Sequence, residues 1–137
     1  MPFLILFFGL TFAFAETTLS LPGINLEREV NEAIETATGE LVIELPAGKF
    51  FFRNDLLVTK AGITIRGRSA QETILSFRDQ KAGPQGILAT HDRFRIENLT
   101  VEDTAGNGIK VIGANNVQFV NVRVRWTKKL SPENGAY

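Results

Sequence analysis

Three acidic side chains, Glu97, Glu102 and Asp103, stand close together in the sequence. Paired carboxylates at such spacing can hold Ca²⁺ or serve as acid and base on a glycan. Glu97 and Glu102, however, alternate with apolar neighbours as outward, solvated strand positions do, and the pattern reads first as an ordinary exposed face. A second group is basic and aromatic. Arg123 and Arg125 alternate on one apolar strand, and Trp126, Lys128 and Lys129 follow in a loop. Guanidinium forks pair with carboxylates, and an indole offers a flat face for stacking, so this edge is a candidate site for a uronate-containing glycan. We take Arg123, Arg125, Trp126 and Lys128 as the candidate substrate-binding residues.

Other candidates reduce to structure. His91 is the one histidine, in Thr90-His91-Asp92-Arg93, and the chain has no cysteine. One imidazole alone makes neither a zinc site nor a nucleophilic triad, so no metal and no cofactor is expected. Gly106-Asn107-Gly108 resembles a phosphate loop only superficially, since no helical pattern follows to supply an anion site. No catalytic residue is assigned.

The elements that must position these residues show themselves by periodicity. Residues 3 to 14 form an uncharged apolar run, and Ala13-Phe14-Ala15 offers the small residues of a cleavage site. The segment 1–15 therefore reads as a signal peptide, although no basic residue precedes it, and the protein as secreted or periplasmic. Twelve residues at 1.5 Å each fall short of a hydrocarbon core about 30 Å thick, so no stable membrane anchor is expected. A linker over 16–24 leads to a helix over 25–38, in which Asn25 is the N-cap and Leu26, Val30, Ala33, Ile34 and Ala37 make an apolar stripe. Glu27 and Glu29 complement its dipole in the first turn, and Gly39 ends it.

Beyond Gly39 the period falls from 3.6 to 2, in short runs separated by Gly, Asn, Asp and Pro. The runs repeat. Gly86-Ile87-Leu88-Ala89 returns 22 residues later as Gly108-Ile109-Lys110-Val111, and Phe94 to Val101 returns 23 residues later as Val117 to Val124. Asn98 and Asn121 hold equivalent places, with Gly67 in the same register of an earlier, looser copy. These three are read as a structural turn ladder. Each repeat carries three strand-length pieces, which predicts an all-β fold: a parallel β-helix with three strands per coil, capped by the amphipathic helix and, by the resemblance described next, right-handed.

The runs Leu41-Val42-Ile43-Glu44-Leu45-Pro46-Ala47-Gly48 and Ala61-Gly62-Ile63-Thr64-Ile65-Arg66-Gly67, with the later Asn-rich repeats, resemble the opening of pectate-lyase-like right-handed parallel β-helix proteins. The resemblance covers roughly residues 24 to 137. It implies polysaccharide as the partner, for an enzyme or for a non-catalytic adhesin-type module, and no catalytic motif of that family matches a position here. One coil cannot stand alone, so residues 39–137 are read as the first rungs of a longer stack, truncated at the C-terminus. The open coil is then a place for strand addition or self-association. A formal net charge of zero, with lysines and arginines scattered, leaves no electrostatic footprint for nucleic acid.

Overall fold

Asn25 opens the helix α1 (Leu26–Thr36): its side chain accepts from the Arg28 amide at 3.3 Å, and Glu29 turns back to the amides of Gly23 and Asn25. Leu26, Val30, Ala33 and Ile34 are buried on one face. The helix stops at Thr36, before Gly39, because Ala37 is extended (ψ 131°) and the Lys60 ammonium takes the Glu35 and Ala37 carbonyls that continuation would occupy. In this computed structural model residues 16–128 are described. The proposed signal segment 1–15 and the last nine positions, including Lys129 and Asn134 to Tyr137, lie outside the described residues. No helix among the described residues is long and apolar enough to cross a membrane.

Among the described residues ten strands accompany the helix: β1 (Thr17–Ser20), β2 (Leu41–Glu44), β3 (Gly48–Phe51), β4 (Asn54–Val58), β5 (Ile63–Arg66), β6 (Thr73–Ser76), β7 (Ala82–Ala89), β8 (Arg95–Glu102), β9 (Ile109–Val111) and β10 (Gln118–Arg125). Strand β1 falls within the stretch read as a linker and pairs with β2. Every pairing is parallel.

The expected right-handed parallel β-helix with three strands per coil is corrected here. The strands lie in two sheets, one of seven strands in the order β1-β2-β5-β8-β6-β3 with β10 also on β8, and one of three in the order β4-β7-β9. The physical reason is at the asparagines. The sequence suggests that they separate two strands, but Asn98 (φ 57°) and Asn121 (φ 51°) adopt the left-handed conformation inside unbroken strands. A short amide side chain tolerates that region, so the strand bends without ending. One half of β8 pairs with β5 and the other with β6, which merges two sheets into one.

Alternation builds the interior between the sheets. Ile87, Ala89, Phe94, Ile96, Leu99 and Val101 are all fully buried, and Phe52 and Phe77 stack with ring centroids 5.2 Å apart. One repeat later the same pattern is open: Phe119 is 51% and Val124 40% exposed.

Candidate functional site

Parallel register aligns side chains from distant parts of the chain into rows across the seven-stranded sheet. Lys49, Ile74, Thr100 and Arg123 make one outward row, and Phe51, Ser76, Glu102 and Arg125 the next. Inward neighbours Leu75 and Val101 occupy the core.

Glu102 is outward on its strand yet has no exposed surface, which corrects the expectation of a solvated carboxylate. Long cationic side chains cover it. Arg125 donates from Nε to Oε2 at 2.9 Å, and Lys49 Nζ lies 2.6 Å from Oε1 in an ion-pair contact that lacks hydrogen-bond geometry. The Ser76 hydroxyl, next to Glu102 in the row, is buried and makes no hydrogen bond. Lys49 also stands 6.0 Å over the Phe51 ring, which is half exposed.

On the other side of the bend Glu97 repeats this arrangement, also buried rather than solvated. Arg66 donates to its Oε1 and Arg95 to its Oε2 at 2.7 Å, while Arg66 also approaches Glu44 at 3.5 Å. Burial pushes the Glu97 carboxyl up, but the hydrogen bonds from Arg66 and Arg95 outweigh it and hold the group below its ordinary value of 4.5. The stabilisation is therefore fully present above about pH 4.5 and is lost as pH falls through the lower folded-state pKa. Urea titrations across pH 3 to 7 are expected to show stability falling in acid for the native protein, with a shallower fall for Glu97→Gln. Equal slopes for the two would remove Glu97 from the acid response.

The sequence-derived binding residues take different positions. Arg125 is in the row with Glu102. Arg123 is exposed on β10 and makes no ion pair among the described residues. Trp126 is half-buried and donates from Nε1 to the Thr104 carbonyl at 2.9 Å, so it holds the loop. Lys128 is exposed, and its amide, with the Thr127 amide and hydroxyl, converges on Asp103. Burial raises the Asp103 carboxyl, and these hydrogen bonds more than offset it, leaving the group lower than its ordinary 3.8. Asp103 is thus a clasp for the Trp126 loop. The chain missed by sequence reading is Lys49 and Phe51. Their alternation in Gly48–Phe51 was available, but nothing local places them beside Glu102.

The ladder residues stand in register: Asn121 Nδ2 donates to Asn98 Oδ1 at 3.3 Å, and the Gly67 amide to the Glu97 carbonyl at 2.9 Å. Over this bend lies a polar groove of about 470 Å³, lined by Ser20, Glu44, Arg66, Arg68 and Asn98 among others. His91 is exposed and meets only the adjacent Thr90 hydroxyl. Strand β9, not a helix, follows Gly106-Asn107-Gly108. Among the described residues no three metal-ligating side chains come together. Comparison with protein-family models, curated proteins and solved structures finds no significant match.

Proposed function

We propose that this is an exported protein that binds or modifies an extracellular or cell-surface polysaccharide, and that an acidic, uronate-type chain lies along the outer face of the seven-stranded sheet. The carrying observation is the half-exposed Phe51 ring with Lys49 6.0 Å over it, in a row that ends on Arg125, the second cation on Glu102. Arg125 uses Nε on Glu102, which leaves its two terminal amino groups to fork onto a carboxylate. The apolar ring supplies a platform for a sugar face, and Lys128 extends the positive edge.

Titration with polygalacturonate and alginate, against a neutral β-glucan, tests the reading. Saturable binding of the uronates is expected, weakened by added salt because the cations are part-exposed. Phe51→Ala is expected to reduce affinity about tenfold, or about 1.4 kcal/mol. Indifference to Phe51→Ala and to salt would sink this site.

A second reading, a non-catalytic structural or adhesin-type module, is favoured by a specific feature: both buried carboxylates are charge-compensated by two cations each. Following unsaturated product, reducing ends and epimerisation in the same titrations separates the two. Binding without turnover selects the module, and turnover selects the enzyme.

A further inference from the structure

The polar groove over the bend keeps donors that the fold itself leaves unused. It is lined by residues of β1, β2, β5 and β8 and of the turns after them, and these are four neighbouring strands of the seven-stranded sheet. Its walls are held in place. Arg66 reaches Glu97 on one side and Glu44 at 3.5 Å on the other, and the Ser20 hydroxyl donates to Glu44 Oε2 at 3.2 Å. Gly67 opens the space, because it stands in the ladder where Asn98 and Asn121 carry amides. Asn98 therefore has an amide neighbour on one side only: its Oδ1 accepts from Asn121, and among the described residues its Nδ2 has no acceptor. Arg68 is exposed and makes neither an ion pair nor a side-chain hydrogen bond among the described residues. Glu72, four positions on, accepts from the Ser69 hydroxyl at 3.0 Å instead.

One groove is thus lined by a free guanidinium, a free amide donor and the Glu44 carboxylate, whose side chain is 41% exposed and has lone pairs to spare. A simple anion would satisfy Arg68 but meet repulsion from Glu44, and a neutral sugar would leave Arg68 without a partner. We infer that the groove is a subsite for one uronic acid residue, its carboxylate on Arg68 and Asn98 and its ring hydroxyls donating to Glu44. Its volume of about 470 Å³ falls within the range of small-molecule sites, about 300 to 1,000 Å³. The choice of sugar rests on the polyuronate reading, whereas the site does not, since Phe51 and its row lie on the other side of the bend.

The test is a titration of the full chain with monomeric galacturonate, followed by the ¹⁵N shifts of the Gly67, Arg68 and Asn98 amides, with galactose and acetate as controls. Saturable shifts at these amides are expected, with galactose and acetate each at least about tenfold weaker. Arg68→Gln, an exposed change that removes no contact, is expected to weaken galacturonate at least about tenfold as well. Acetate binding as tightly as galacturonate would reduce the groove to a plain anion site and overturn the proposal, and so would affinity unmoved by Arg68→Gln. Polygalacturonate that binds through Phe51 while galacturonate leaves these amides unshifted would overturn the groove alone. Galacturonate bound here with no affinity for the polymer would uphold the groove and sink the site at Phe51.

Discussion

Replacing Arg125 by methionine is expected to destabilise the protein by about 3 kcal/mol, the cost of removing one partner from a buried ion pair. Glu102 has no contact with solvent, and its two oxygens are each met by one cation. Arg125 makes the properly aligned hydrogen bond. Lys49 contributes charge at 2.6 Å without hydrogen-bond alignment, so it cannot replace the lost donor. The methionine keeps most of the packing of the arginine stem, which isolates the electrostatic part. Glu102→Gln introduced into Arg125→Met is expected to recover part of the loss, because it removes a buried charge that has lost its hydrogen-bond donor and keeps only the Lys49 ion pair. Urea unfolding of the four proteins in the cycle gives the coupling, expected at about 1 to 3 kcal/mol. A loss below about 0.5 kcal/mol for Arg125→Met would place the pair with ordinary surface ion pairs and contradict its burial.

How much of this was legible in the sequence depends on whether the signal is local or across strands. The helix was legible because its cap, stripe and acidic first turn lie within one short segment. The inward set Ile87 to Val101 was legible because alternation is a local property of a strand. The number of sheets was not. A residue at positive φ reads in sequence as a turn, and only tertiary pairing on both sides of Asn98 keeps β8 continuous. The carboxylates failed for a related reason. Alternation says that Glu97 and Glu102 point away from the core, but outward is not the same as exposed. Arg66 and Lys49 come from strands far earlier in the chain, and only the register brings their long stems over the acids. For the same reason sequence identified Arg125 but not Phe51, its partner in the row.

Gly67→Ala should be the most damaging single methyl addition along the bend. A Cβ at Gly67 would lie 2.2 Å from the Asn98 carbonyl oxygen, 2.8 Å from the Thr73 Cβ and 3.0 Å from the Leu99 Cβ. The nearest of these is backbone and cannot rotate away. Relief requires moving β5 from β8 where the Gly67 amide donates to the Glu97 carbonyl, one residue from the Arg66 to Glu97 contact. Thr73 cannot retreat freely either, because its hydroxyl accepts from the Arg68 amide at 2.9 Å and donates to the Pro46 carbonyl at 3.1 Å. Overpacking of about 1 to 3 kcal/mol and a weakened hydrogen bond of about 1 kcal/mol together give an expected loss of about 3 kcal/mol in urea unfolding. Gly39→Ala is the control, since a Cβ there meets nothing within 4 Å, and it should stay within about 0.5 kcal/mol of the parent. The two variants also differ in acid. If displaced β5 weakens the hold of Arg66 on Glu97, the Gly67→Ala penalty should shrink as pH falls and the parent loses the same contact by protonation. A penalty that stays constant from pH 7 to pH 3 would confine the damage to steric overlap at the bend and uncouple it from the carboxylate beside it.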